Sequence, residues 1–385
     1  MLNFDFYNPT RILFGAGSIA SLAQLVPQTA RVLILSGGAS AEKTGTLAEV
    51  RAALGTRLVR EFSGIEPNPS YETLMRAVEQ VRGEQLDFLL AVGGGSVIDG
   101  TKFVAAAARH EGDPWNIMET GGASVTGALP FGTVLTLPAT GSEMNNGSVV
   151  TLKATQTKLP FRSLHVFPQF SVLDPTKTYT LPEKQVANGL VDAFVHITEQ
   201  YLTYPVQALA QDRFAEGLLQ TLVEIAPQAL AAPDDYATRS NLMWTATLAL
   251  NGLIGAGVPQ DWATHMIGHE LTALYDIDHA RTLAIVLPAL LDVQRDKKRA
   301  KLLQYGRRVW GISEGSEEQR IDAAIEATRR FFEGLGIPTR LSAYGLGMAA
   351  VNDVIGQLGA HGMTRLGEHG DVDLALSRAI LETAL

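Results

Sequence analysis

The chain has 385 residues, 46% apolar and 18% charged, with a formal net charge of −9 and no cysteine. At roughly 150 residues per domain this suggests two globular domains, and the missing cysteine excludes disulfides, thiolate metal sites and a cysteine nucleophile. The acidic balance argues against nucleic acid as a partner, because phosphate backbones call for clustered positive charge.

The N-terminus, Met1–Phe6, carries neither a basic segment nor an apolar core of the kind a secretory signal needs. Arg31–Leu35 is a short apolar run that ends in Ser36-Gly37-Gly38. Leu86–Val92 ends in Gly93-Gly94-Gly95-Ser96, and Thr133–Leu137 runs into Pro138-Ala139-Thr140-Gly141-Ser142. Helical patterns lie between these runs, near 40–54, 70–83 and 97–109. Apolar strands alternating with helices predict βαβ units on a parallel sheet. Ser148–Lys153 and Lys158–Val166 alternate around the polar link Ala154–Thr157, which predicts a β-hairpin. Strand signals end at Thr180-Leu181-Pro182. Helices are predicted near 183–202, 207–230, 236–254, 260–275, 280–293, 296–309, 317–335 and 372–384. No apolar run reaches the ~18 residues of a membrane span, so a cytoplasmic protein without membrane contact is expected. The predicted architecture is an α/β domain over 1–180 followed by an all-helical domain over 181–385.

Gly93-Gly94-Gly95-Ser96 follows a strand and opens a helix, where free N–H groups and the positive helix end would hold a pyrophosphate. Ile98 stands where G-x-G-x-x-G has its third glycine, and no Walker lysine follows, so ATP hydrolysis is not indicated. Asp99 would repel a phosphate, which makes a ribose hydroxyl or a backbone amide its expected partner. Ser36-Gly37-Gly38-Ala39-Ser40 repeats the strand–loop–helix pattern. It holds no Asp or Glu for a ribose 2′-hydroxyl, and the nearby Lys43 suits a 2′-phosphate, which points to NADPH. An ordinary glycine turn competes with each of these readings.

Four of the eight histidines fall between residues 196 and 279. Asp192 and His196 are spaced i, i+4, as are His265 and His269, so each pair shares one helix face. His279 follows in Asp276-Ile277-Asp278-His279-Ala280. Burying so many titratable groups is costly unless something pairs with them. Histidines with a carboxylate suit a borderline divalent cation, zinc or iron(II). Glu270 follows the second histidine of its pair, so the general base of an H-E-x-x-H zinc protease is missing. Satisfied core histidines and a surface Asp–His pair are the ordinary alternatives.

Together these segments resemble the iron-containing (group III) alcohol dehydrogenase family. The resemblance runs through Gly15-Ala16-Gly17, Glu66-Pro67-Asn68-Pro69, Gly93–Asp99, Leu137–Glu143, Asp174-Pro175, Thr180-Leu181-Pro182, Asp192-x-x-x-His196 and His265-x-x-x-His269 with His279. Gly255–Ala263 and Leu302–Trp310 are similar to the NADPH-dependent aldehyde reductase and butanol dehydrogenase branch. The resemblance implies a Rossmann-like dinucleotide-binding domain followed by an all-α metal-binding, catalytic domain. It implies Asp192, His196, His265 and His279 as metal ligands. His269 would then lie beside nicotinamide and substrate as a proton relay. Asn68, Gly94, Gly95, Ser96, Asp99, Thr136, Thr140, Val149 and Lys158 fall where the family holds its dinucleotide. Gly37, Gly38, Ser40 and Lys43 fall where the NADPH branch meets the 2′-phosphate. Many members have glycine after the last ligand, where this chain has Ala280.

The implied reaction is hydride transfer between NADP(H) and a short- to medium-chain aldehyde or alcohol polarised by one divalent metal, zinc or iron(II). An NAD-linked polyol dehydrogenase on the same scaffold and a non-catalytic metal- or nucleotide-binding protein are the competing readings. A homodimer is expected, since an exposed sheet edge otherwise lacks a partner.

Overall fold

The computed structural model describes residues 1–385. Its strands are β1 (Arg11–Phe14), β2 (Arg31–Ser36), β3 (Leu58–Phe62), β4 (Phe88–Gly94), β5 (Phe131–Leu137), β6 (Gly147–Leu152), β7 (Thr157–Arg162) and β8 (Phe170–Leu173). Six form one parallel sheet in the order β1-β8-β5-β4-β2-β3, and β6 and β7 form the antiparallel hairpin. Around them lie α1 (Leu22–Leu25), α2 (Ser40–Lys43), α3 (Thr46–Leu54), α4 (Tyr71–Gly83), α5 (Gly95–Ala107) and α6 (Asn116–Glu119).

Strands β2 and β4 read as unbroken apolar runs because both of their faces are covered. Leu33, Leu35, Leu89 and Ala91 pack in one core layer with Leu74, Ala77 and Val78 of α4 and Ile98 and Phe103 of α5. Their neighbours Val32, Ile34, Leu90 and Val92 pack in a second layer with Leu22 of α1 and Leu47, Val50 and Leu54 of α3. The period-2 alternation of side chains thus divides each strand between two cores. The pattern expected as one helix over 40–54 breaks into α2 and α3 at Gly45, whose φ of +78° leaves the helical region. The hairpin is shorter than predicted. Residues 164–166 form a 3₁₀ turn, in which the Ser163 side chain accepts the His165 N–H.

Helices continue as α7 (Glu183–Tyr201), α8 (Leu209–Ala231), α9 (Tyr236–Ala249), α10 (Ala263–Tyr275), α11 (His279–Val293), α12 (Arg299–Val309), α13 (Glu317–Gly334), α14 (Met348–Ala360) and α15 (Leu374–Thr383). None is long and apolar enough to cross a membrane.

The chain divides into two compact units. One comprises Tyr7–Leu181 with Ala231–Thr247, and the other Met1–Phe6 with Pro182–Leu230 and Leu248–Leu385. The contiguous division 1–180 and 181–385 therefore misplaces two segments. Ala231–Thr247 joins the sheet unit because Met243 enters its core, Trp244 meets Phe14 edge-on and Thr247 Oγ1 donates to buried Glu143. Met1–Phe6 joins the helical unit, where the Leu2 N–H donates to the Gly257 carbonyl at 2.9 Å.

Candidate functional site

In the sheet unit, β2 and β4 are neighbours, while β3 and β5 lie on their outer sides. The chain leaving β2 enters α2 and α3, and the chain leaving β4 enters α5 on the opposite core layer. Such a reversal opens a crevice at the carboxyl ends of the strands, which is where α/β sheets bind ligands. Both glycine loops stand there.

No side chain caps α5 at Gly94, so its first-turn amides are free to meet an anion. The loop has no room for side chains. A Cβ on Gly93 would lie 2.6 Å from Val97 Cγ2, and one on Gly95 would lie 2.4 Å from Thr140 Oγ1. Gly93 pairs with Leu135 and Gly94 with Leu137, which leaves Thr136 as an extra residue on β5. Gly94, Gly95, Thr136 and Thr140 thereby converge, and half-buried Ser96 follows in the first turn.

Asp99 is already engaged within the protein. Its Oδ1 accepts from Ser142 Oγ at 2.5 Å and its Oδ2 from the Val149 N–H at 2.9 Å. Of its two expected partners, the backbone amide is the one it has. Burial pushes its carboxyl above the usual range, and burial also lowers the neighbouring Lys102 to about 8. Lys102 Nζ donates to Ser142 Oγ, Asn145 Oδ1 and the Gly147 carbonyl. The hairpin is tied to the loop at 66–70. Lys158 Nζ donates to Asn68 Oδ1 at 2.8 Å, the Thr151 N–H donates to the Pro69 carbonyl, and Lys153 pairs with Glu66. Asn68 sits at a φ of +54°. In the β2 loop, Gly37 is half-buried and Gly38, Ser40 and Lys43 are exposed. Glu42, which the sequence reading passed over, is held by both terminal nitrogens of Arg51 at 3.1 and 2.7 Å.

In the helical unit, α7 carries Asp192, His196 and Glu199 at i, i+4 and i+7, a spacing that keeps them on one face. α10 carries His265 and His269, and α11 begins at His279. Gly268 allows close approach of the last two helices, since a Cβ there would lie 2.9 Å from Thr282 Oγ1. Asp278 fixes the start of α11 by accepting from Asn188 Nδ2 at 3.1 Å and pairing with Lys184 at 2.7 Å, both on α7. Burial pushes the Asp278 carboxyl up, but these contacts outweigh it and hold the group below its usual range.

Asp192, His265 and His279 each bring one ligand atom within 4.8 Å of the other two. His196 and His269 fall outside this group. The His196 ring stacks on His265 with centroids 4.7 Å apart, and its Nε2 is 3.7 Å from Asp192 Oδ1, the same distance as that of His279 Nε2. The His269 ring lies 5.2 Å from that of His279 and perpendicular to that of His265. Asp192 Oδ1 is buried and accepts no hydrogen bond. A buried carboxylate oxygen left without a donor, amid imidazoles, fits a divalent cation.

Glu199 is the residue that sequence reasoning missed. It is buried, and its Oε1 accepts the N–H of Thr264 at 2.8 Å and of His265 at 3.3 Å. Its Oε2 bonds His265 Nδ1. Burial and the nearby Asp261 raise its carboxyl well above the usual range. The available signal was its position three residues beyond His196 on the helix face that carries Asp192 and His196.

Comparison with known proteins gives a consistent family. The profile described as iron-containing alcohol dehydrogenase matches residues 9–175, and that of the family's C-terminal part matches residues 186–367. The chain is 61% identical over 386 residues to the NADPH-dependent aldehyde reductase YqhD of Escherichia coli K12, covering all of both chains. It is 39% identical over 352 residues, 90% of each chain, to NADH-dependent butanol dehydrogenase A of Clostridium acetobutylicum. A crystal structure of E. coli K-12 YqhD superposes with a TM-score of 0.99 over 100% of this chain and 99% of that one. With both parts of its length matched, the chain belongs to the iron-containing alcohol dehydrogenase family.

Proposed function

We propose that the protein is a metal-dependent, NADPH-linked aldehyde reductase, or alcohol dehydrogenase in the reverse direction, acting on short- to medium-chain aldehydes. The observation that carries this reading is the convergence of Asp192, His265 and His279 within the helical unit. Asp192, His196, His265 and His279 would hold one divalent cation, zinc or iron(II), which supplies Lewis acidity toward a carbonyl oxygen. NADPH supplies the hydride, and the β2 and β4 loops of the sheet unit are its site. The ligand set contributes one negative charge from Asp192 and none from neutral imidazoles, so it leaves a divalent centre electrophilic. Asp192, His196, His265 and His269 are buried, and low local polarity strengthens electrostatic interactions among them. His269 then donates a proton to the oxygen of the alcohol as it forms.

His269→Ala is expected to retain metal near the wild-type level while turnover falls about 10²-fold, less if water substitutes. Elemental analysis and turnover on one preparation check this. Loss of metal in His269→Ala, with metal kept in His279→Ala, would exchange the roles of the two residues.

The NADPH preference rests on the β2 loop. Gly38 is exposed with no atom within 4 Å of a Cβ built there, and Arg51 pairs with Glu42 of the α2 helix that follows. Gly38→Asp therefore adds a carboxylate without steric cost. It should repel a 2′-phosphate and accept from a ribose diol, shifting the kcat/KM ratio toward NADH. The decisive experiment pairs metal analysis with NADPH and NADH turnover on short aldehydes, for wild type and Gly38→Asp. A wild type that uses NADH better overturns the cofactor reading, and a metal-free active enzyme overturns the whole.

We further propose a cytoplasmic homodimer. β1 is a sheet-edge strand with unpaired backbone groups along one side, and sedimentation velocity would report the mass.

A further inference from the structure

We infer that Glu199 is a positioning residue that sets the tautomer of His265 and so makes its Nε2 a metal ligand. The inference rests on the proposed metal centre and deepens it. An imidazole can ligate only through a nitrogen that carries no proton, and the partner of the other nitrogen decides which one that is. His265 Nδ1 faces Glu199 Oε2, a carboxylate oxygen that accepts and cannot donate once ionised. The proton therefore stays on Nδ1, and Nε2 keeps its lone pair.

Backbone donors fix the Glu199 carboxyl so that Oε2 is the oxygen turned to His265. Oε1 takes the N–H groups of Thr264 and His265, which belong to the first turn of α10, so the carboxylate sits on the positive end of that helix. The same two bonds fix the carboxylate plane. The backbone beneath it is fixed as well, because the Glu199 carbonyl accepts the Asp261 N–H at 2.9 Å. Asp261 in turn caps the Ala263 N–H with Oδ1 and pairs with buried Lys298 at 2.8 Å through Oδ2. Lys298 also donates to Glu368 and to the Leu202 carbonyl at the end of α7. Helices α7 and α10 are thus joined by a buried polar lattice whose inner end is the Glu199–His265 contact. Asp192 and His196 come from the same α7 face, so one helix supplies two proposed ligands and the group that orients a third.

Glu199→Gln tests this most sharply. Glutamine is nearly isosteric, and its carbonyl oxygen can still accept the Thr264 and His265 amides. Its NH₂ group then faces Nδ1 and donates, which moves the imidazole proton to Nε2 and blocks ligation. The probes are zinc and iron(II) alone, titrated into apoprotein against a competing chelator, with the thermal midpoint of the apoprotein and NADPH binding measured alongside. The expected result is metal affinity lowered roughly 10- to 100-fold, with apoprotein midpoint and NADPH binding close to wild type. Glu199→Asp, which restores a carboxylate, should recover part of the affinity. If wild type binds stoichiometric metal and Glu199→Gln binds it equally well, the positioning role is overturned. An affinity loss matched by a collapse of the apoprotein midpoint, with no recovery in Glu199→Asp, overturns it too, because Glu199 would then be a structural cap. Wild type that binds no metal instead defeats the metal-centre reading itself.

Discussion

His265→Ala is expected to abolish aldehyde reduction and to lower bound metal about tenfold or more. The residue joins three features that no other histidine combines. It is one of the three whose ligand atoms converge, it stacks on His196, and its far nitrogen is held by Glu199. Removing the imidazole takes one ligand from the proposed centre. It also leaves the Glu199 carboxylate with only two amides, in a place where an unpaired charge is costly. Elemental analysis of protein purified without added metal, together with turnover, checks the first effect. His110→Ala, on the loop after α5, serves as control and should match wild type. Equal metal content in His265→Ala and wild type would falsify the assignment. Stripping wild type with a chelator should reproduce the loss of activity, and return of zinc or iron(II) should reverse it.

Gly95→Val should abolish NADPH binding at working concentrations, an affinity loss on the order of 10²-fold, while bound metal stays unchanged. A Cβ at this position meets Thr140 Oγ1 and Cγ2 at 2.4 Å, closer than real contacts allow. Thr140 cannot swing aside freely, because its Oγ1 accepts the Ser142 N–H at 3.2 Å. The strain therefore falls on the first turn of α5, whose amides are proposed to meet the pyrophosphate. Displacing such a positioned group by about 1 Å can cost a factor of that size. Fluorescence titration with NADPH reads the affinity. Gly217→Val, on an exposed turn of α8 with open space around it, is the matched control. Wild-type NADPH affinity in Gly95→Val would remove the β4 loop from the site.

Much of the fold is legible in short stretches of sequence. β2, β4 and β5 are short apolar runs closed by glycine or proline, and run length with that punctuation assigns them. β1, β3 and β8 escape that reading for separate reasons. β1 and β3 are edge strands, and β3 exposes Arg60 and Glu61. β8 is four residues long although fully buried. α14 was missed because Gly356 and Gly359 dilute its helical pattern.

The pairings Asp192 with His196 and His265 with His269 need only the 3.6-residue helical period, so the sequence alone determines which residues share a face. It also determines that strands precede helices and that glycine loops open α2 and α5. Only the tertiary structure decides that Asp192, His265 and His279 converge while His196 and His269 stand just outside. That choice depends on α10 meeting α11 at Gly268, and on Lys184 and Asn188 anchoring Asp278. It likewise decides that Glu199 serves His265 across 66 residues, and that Thr247 answers Glu143 across 104. Backbone periodicity reaches only a turn or two along the chain. Contacts at such separations are set instead by which surfaces fill one another's space, and residue spacing carries no record of that.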